Sequence, residues 1–230
     1  MKTSRNAVMA LRDSELSSST KPFVTRGSRV VRCNSCLLPK PHCMCDNKPE
    51  AIATCAVVLL MAQGEYYKPS NTGRLIADVV PENYAFKWHR TQAQPELLAL
   101  LSDPTYDPYL IFPHEYAPVE RCVGRVSMTS RKPLFIFLDG TWREAKRMFR
   151  KSDYLQRLPV LSIDTTEQND YVLREAAHDY QLCTAQVAVK IFQLAGEEES
   201  AVSLDNYFKV FTTQYLKGKP DRKNRADDAI

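Results

Sequence analysis

The chain has 230 residues, 44% of them apolar and 25% charged, with a formal net charge of +4. That length supports one sizeable domain with at most a small appendage, and the composition is that of a globular protein rather than a fibrous or disordered one. No apolar run approaches the length needed to span a bilayer, and so mild a net charge decides little by itself.

Residues 1–28 are polar and rich in Ser, Thr and Arg, and read as a flexible arm carrying one short helix over Ala7 to Leu16. The apolar patch Ala7 to Leu11 is cut off at once by charges. It is too weak for the core of a secretory signal, so a cytoplasmic protein is expected.

Residues 29–50 form a knuckle in which Cys33, Cys36, Cys43 and Cys45 stand in a C-x2-C-x6-C-x-C array. In a reducing compartment such a cluster favours metal over disulfides. Each close pair can grip an ion from one short turn, and Pro39 and Pro41 stiffen the link between the pairs. Four thiolates close a tetrahedral site, so structural Zn2+ is expected, against an Fe–S cluster or four free thiols. His42 is left out because Cys43 is better spaced. Arg29, Arg32 and Lys40 flank the knuckle and suit nucleic-acid contact. Cys55, Cys122 and Cys183 read as small buried residues, and His89, His114 and His178 as structural or exposed.

Thr54 to Ala62 is a short continuous apolar run, the pattern of a strand buried on both faces. Asn71-Thr72-Gly73 opens a helix over GRLIADVV, and Pro95 to Leu101 is a second helix with proline at its first position. Tyr109 to Pro113, Pro133 to Asp139 and Pro159 to Asp164 read as further strands. Thr184 to Ala195 has helical apolar spacing, as do Leu204, Phe208, Phe211 and Tyr215, whose helix ends near Gly218. Strands alternating with helices predict an α/β fold with a mostly parallel sheet flanked by helices. The catalytic domain is expected over 51–217, with a solvated tail over 218–230.

One stretch, LDGTWREAKRMFRKS (Leu138 to Ser152), concentrates the chemistry. Ligands of parallel sheets bind beyond the carboxyl ends of the strands, where Asp139 lies. Gly140 permits close approach to the backbone. Thr141 followed by Glu144 is a capping-box pattern, so a helix should start at Trp142 with its first-turn N–H groups facing the crevice. On that helix Arg143, Lys146, Arg147, Arg150 and Lys151 share one face, opposite Trp142, Ala145, Met148 and Phe149. A basic face is commonly no more than a solvated one. Beside a strand-end acid it suits a phosphate backbone next to a reactive centre.

Asp139-Gly140-Thr141-Trp142 resembles the Asp-x-Thr-Trp signature of the DTW-domain family. The Asn71-Thr72-Gly73-Arg74-Leu75 segment, the strand ending in Phe112-Pro113 and the cysteine knuckle agree with it, over about Arg32 to Tyr215. The resemblance implies a SPOUT-related α/β fold with a knotted C-terminal part. It also implies the activity of a bacterial tRNA-uridine aminocarboxypropyltransferase, with S-adenosylmethionine as donor and tRNA as partner. In one place the chain departs from the family: many relatives carry His-Pro-x-Glu after the first strand, where this chain has Ala62-Gln63-Gly64-Glu65.

On this reading N3 of a uridine, in the variable loop in bacterial relatives, attacks the γ-carbon of the donor's methionine portion, and methylthioadenosine leaves. Asp139 is the expected catalytic group, as base or as the group that orients the imide, with Thr141 beside it. Trp142 either shields the sulfonium methyl or anchors its helix. The donor is expected against Phe112, Pro113, Leu138, Gly140 and Leu182, Cys183, Thr184 and Ala185. Thr184 reads equally as an N-cap. Asn71 and Thr72 either touch the donor or cap their own helix, and Arg74, alongside the basic helix, is expected on RNA. The rival readings are an RNA methyltransferase on the same scaffold and a non-enzymatic zinc-knuckle RNA-binding module. A monomer is favoured, with no membrane partner.

Overall fold

A computed structural model describes residues 6–20, 30–127, 129–163 and 182–219. Six strands form one parallel sheet: β1 (Ala56–Met61), β2 (Glu82–Lys87), β3 (Tyr106–Ile111), β4 (Cys122–Val123), β5 (Lys132–Asp139) and β6 (Val160–Leu161). Their order across the sheet is β2-β1-β5-β3-β6-β4, and every neighbouring pair is parallel. The chain lays β1 and β2 side by side, crosses to β3, and later fills the gap between β1 and β3 with β5. The carboxyl ends of β1, β5 and β3 therefore sit together, with Met61 in register with Asp139 and Ile111 with Phe137.

All six residues of β1 are buried, as the apolar run requires of a strand covered on both faces. Alternate residues feed two separate cores. Val57, Leu59 and Met61, with Phe135 and Phe137, face α2 (Gly73–Val79), α5 (Thr184–Leu194) and α6 (Glu198–Lys217). Ala56, Val58 and Leu60, with Leu134 and Ile136, face α3 (Pro95–Ser102) and α4 (Trp142–Lys151). Each fully buried Leu, Val or Phe contributes about 1.5–3 kcal/mol, so the period-2 alternation fixes the register firmly.

The expected strands and helices are present, with three differences besides the two-residue edge strand β4, which was not expected. The strand expected over Pro159 to Asp164 is a two-residue element, Val160–Leu161. β2 was not expected, because Glu82-Asn83-Tyr84-Ala85-Phe86-Lys87 has no apolar run; it is an edge strand, half-buried throughout. The third difference is α1 (Ala7–Ser17), which the sequence placed within a flexible arm. Asn6 caps it by accepting from the Met9 N–H at 3.1 Å, and its amide donates to the Arg74 carbonyl (2.8 Å) and to Asp78 (2.9 Å). Val8 is buried, the Ala7 N–H donates to Asn83, and Lys87 pairs with Glu15 at 2.7 Å. The helix covers the sheet edge that β2 leaves open, which is why it docks rather than trailing free.

Among the described residues no helix is long and apolar enough to cross a membrane. The expected knot depends on the connection between β6 and α5, most of which, 164–181, lies outside the described residues, with Asp164 and His178. Arg29 and the tail beyond Lys219 lie outside them too.

Candidate active site

Asp139 ends β5 and is only 2% exposed. Its carboxylate accepts a hydrogen bond from the Asn71 amide at 2.6 Å and another, on the other oxygen, from the Thr184 hydroxyl at 2.6 Å. Three chain segments far apart in sequence thus converge on one acid: the turn into α2, the end of β5 and the start of α5. Gly73 belongs to the same arrangement, because a Cβ there would lie 2.5 Å from the Asp139 carboxylate.

The amide of Asn71 has one orientation that satisfies its surroundings. Its oxygen accepts from the Arg74 N–H (3.1 Å), capping α2, while its nitrogen faces Asp139 and, at 3.4 Å, Glu65. Of the two roles expected for Asn71, capping its helix is present, and the same side chain also holds the Asp139 carboxylate. Glu65, itself 1% exposed, is held by Lys68 at 2.5 Å. It is a buried site residue that sequence reasoning treated only as part of a departure from the family pattern. A charged residue in the short turn four positions after the end of a buried strand was the available signal.

Thr184 is not an N-cap. Cys183 takes that position, with its N–H donating to Gln186 at 3.0 Å, so the Thr184 hydroxyl is free to serve Asp139. Thr72 accepts from the Ala185 N–H at 3.3 Å, which ties the two segments together from the other side. Asn71, Thr72, Asp139, Cys183, Thr184 and Ala185 are therefore one group, and Leu182 lies half-buried next to it in sequence.

Phe112, Pro113, Leu138 and Trp142 do not join that group. Phe112, Leu138 and Trp142 pack with the core on the opposite face of the sheet. Phe112 stacks on Phe149 (4.4 Å between centroids) and on Trp142 (5.4 Å), and Tyr116 meets the Phe112 and Trp142 rings edge-on. Pro113 leads into the turn that carries Tyr116. The Lys146 ammonium lies 4.6 Å over Tyr116 and 5.1 Å over Trp142, contacts of the cation–π kind. Tyr116 had not been singled out, and only this packing reveals it.

The turn between these two faces is built as its residues dictate. Gly140 has no Cβ because one would sit 2.9 Å from the Ala62 side chain. Thr141 caps α4: its hydroxyl accepts from the Glu144 N–H (3.3 Å), and Glu144 accepts from the Thr141 N–H (2.8 Å) and hydroxyl (2.6 Å). Such a cap stabilises a helix start by about 0.5–2 kcal/mol. With its hydroxyl committed in this way, Thr141 acts on the helix rather than on Asp139. Ala145, Met148 and Phe149 are buried, while Arg143, Arg147, Arg150 and Lys151 are exposed beside Lys146, as the helical spacing predicts.

Arg74 is a correction. Expected on RNA, it is 2% exposed, one of the largest fully buried side chains, with its guanidinium 5.1 Å over the Phe211 ring and one nitrogen donating to the Pro69 carbonyl at 3.0 Å. Burial draws its pKa down to about 10 against the opposing pull of Tyr207, Cys36 and Asp78. It faces inward because α6 lies across it, a tertiary contact that no local pattern announces.

The sulfur atoms of Cys33, Cys36, Cys43 and Cys45 all lie within 4.8 Å of one another, with Cys33–Cys45 at 3.5 Å and Cys36–Cys43 at 3.7 Å. Burial raises the Cys33 thiol, but the N–H groups of Cys36 and Ser35 outweigh it and bring the pKa to about 6. Burial and the neighbouring thiols push Cys36 and Cys45 upward. Four sulfurs this close cannot all ionise without a cation, and the set fits a metal of zinc's type. The knuckle is fastened to the domain: Cys36, Leu38 and Met44 belong to the same core as α2 and α6.

No solved structure matches the chain. It is 25% identical over 174 residues to the tRNA-uridine aminocarboxypropyltransferase 2 of Drosophila melanogaster, an alignment covering 71% of this chain and 66% of that protein. The chain thus spans just under two thirds of that relative's length. The family model of the DTW domain matches residues 30–216, from the knuckle through the sheet and Asp139 almost to the end of α6. With most of its length inside that match, the chain belongs to the DTW-domain family.

Proposed function

We infer that the chain transfers the 3-amino-3-carboxypropyl group of S-adenosylmethionine to N3 of a uridine in tRNA and releases methylthioadenosine. The observation that carries this reading is the buried carboxylate of Asp139, held at the carboxyl end of β5 by Asn71 and Thr184. Family membership and the activity named for the fly relative support it. The basic face of α4 next to that strand end suits a phosphate backbone.

The reaction forms a bond from N3 to the γ-carbon and breaks the bond from that carbon to sulfur, whose electron pair departs with methylthioadenosine. The imide proton of N3 must also leave. Asp139 accepts or orients it, while Asn71 and Thr184 fix the direction of its lone pairs. Thr72, Gly73 and Leu182 to Ala185 line the same side and are the residues against which the donor binds. Trp142, on the far side of the sheet edge, anchors α4 and, with Lys146, presents the basic face to tRNA.

Zn2+ held by Cys33, Cys36, Cys43 and Cys45 is structural, because four sulfurs leave no open coordination position. A SPOUT-like fold with a knotted C-terminal part and a cytoplasmic location belong to the same reading.

The test is to incubate purified protein with total tRNA and S-adenosylmethionine, digest to nucleosides and weigh the products. A uridine heavier by an aminocarboxypropyl group is expected. A methyl-sized gain would make the chain an RNA methyltransferase. No modified nucleoside, together with no thermal stabilisation by the donor, would leave an RNA-binding module.

A further inference from the structure

Three near-parallel rings run outward along the α4 face. Phe149, 3% exposed, stacks on Phe112, 5% exposed, with 13° between the ring planes, and Phe112 stacks on Trp142 with 17°. Trp142 is half-buried, so the stack ends at the surface. Tyr116, also half-buried, stands at 78° to Trp142 with the ring centres 5.7 Å apart. The two rings thus make a corner, and the Lys146 ammonium lies against both. The buried residues of α4 are Ala145, Met148 and Phe149, and Trp142 adds a ring whose outer part meets solvent.

A flat face at the end of a stack is a place for one more flat ring. Nucleobases suit such a place, because every base has a π-face whatever its identity. Charge then selects where the base comes from. Lys146 already sets a cation against both rings, and Arg143, Arg147 and Arg150 are exposed on the same helix. S-adenosylmethionine carries a net positive charge and is repelled by that set, whereas a nucleotide within RNA brings its own phosphate. Lys146 is a point charge on a flexible four-carbon stem, so its ammonium can swing from the rings to that phosphate as a base enters.

We propose that Trp142 and Tyr116 form a base subsite that takes an unpaired nucleotide next to the target uridine, with Lys146 on its phosphate. The reach follows from the chain. Trp142 comes three residues after Asp139, so their Cα atoms are at most about 11 Å apart. Neighbouring nucleotides of one strand can therefore occupy the two sides of the sheet edge, the uridine at Asp139 and its neighbour in the corner. A base inside a duplex keeps its faces against its neighbours, so the nucleotide in the corner must be unstacked from the RNA. Stacking reads no hydrogen-bond pattern, so the subsite tolerates any base and selects for single-stranded RNA. The inference rests on the tRNA reading above.

Tryptophan emission and RNA affinity test it, and neither reads transfer. The chain has two tryptophans, so W88F leaves Trp142 as the sole reporter. A short oligouridine should quench Trp142 emission in W88F, and the quenching seen in wild type should shrink in W142F. A duplex RNA with the same number of phosphates should bind without quenching Trp142. W142L should bind the oligouridine about 5- to 150-fold more weakly than wild type, the scale of one stacked base, while W142F, which keeps a π-face, stays close to wild type. No quenching by the oligouridine, or an equal loss of duplex affinity in W142L, would overturn the proposal. Quenching of Trp142 by S-adenosylmethionine or methylthioadenosine alone would overturn it too and give the corner to the donor. Quenching by oligouridine in a protein that modifies no uridine would sink the transferase reading and leave the subsite standing, whereas modification without quenching would sink the subsite alone. Should W142L fail to fold, the emission of W88F still decides, because Trp88 contacts Ser152 and Arg147 rather than the corner.

Discussion

At the carboxyl edge of the sheet, two faces only one peptide turn apart are built on different principles. On the α2/α5 face, Asp139 is enclosed, and two directed hydrogen bonds from distant segments hold its carboxylate. On the α4 face, Phe112, Tyr116, Trp142 and Phe149 stack, and cations lie over the rings or in solvent. The first face orients a few atoms. The second offers area, charge and tolerance, which is what a surface meeting folded nucleic acid needs. On the proposed function, dividing the labour across a sheet edge would let a large polyanion approach without disturbing a buried acid.

Substitutions should separate the two faces, and Asp139 should matter most. D139A should cut nucleoside modification by about 10²- to 10⁴-fold and D139N by a similar amount, since on the proposed mechanism both remove the group that handles the imide proton. Near wild-type modification by D139A would break the assignment. The knuckle packs on the core of the polar face, so C36S, or a chelator acting on the metal proposed for its four cysteines, should lower the melting temperature by on the order of 10 °C. Donor binding, followed by thermal shift, should fall with it.

On the other face, the pair K146E and R150E should leave donor binding unchanged. It should flatten the dependence of log tRNA affinity on log salt by about one unit for each phosphate no longer neutralised. An unchanged salt slope would mean that the basic face is only solvated. W142A removes stacking on Phe112 and Tyr116 and should cost about 1–3 kcal/mol of stability, read by denaturant unfolding, while donor affinity holds. Loss of donor affinity in W142A would move Trp142 back to the donor site.

The smallest effect should come from Glu15, which holds α1 against the polar face through Lys87 and Tyr66. Burial alone raises its pKa, but those two partners outweigh burial and leave it below its ordinary value of 4.5. A depressed carboxylate contributes stability above its unfolded-state value, and the contribution is lost as pH falls through its folded-state value. E15Q should therefore melt about 2 °C or less below wild type at neutral pH, and the gap should close on acidification below 4.5.

Much of this was readable along the chain because it depends on neighbours in sequence. β1 and β5 announce themselves by continuous apolar runs, α4 by a capping box and a one-sided charge pattern, and the knuckle by the spacing of its cysteines. Asp139 was found because strand, acid, glycine and cap are consecutive. β2 and the docking of α1 escaped because an edge strand and the helix covering it take their stability from each other rather than from periodicity.

The amino-acid order by itself determined the alternation of strands and helices, the position of the acid at a strand end, the thiol set and the family. Tertiary structure alone decided that Thr184 serves Asp139 instead of capping α5, that Trp142 and Asp139 look away from each other, and that Arg74 is interior. The reason is geometric. A strand sends alternate side chains to opposite faces and a crossover brings residues dozens of positions apart into hydrogen-bond range, so the partners of a side chain are set by where the sheet closes.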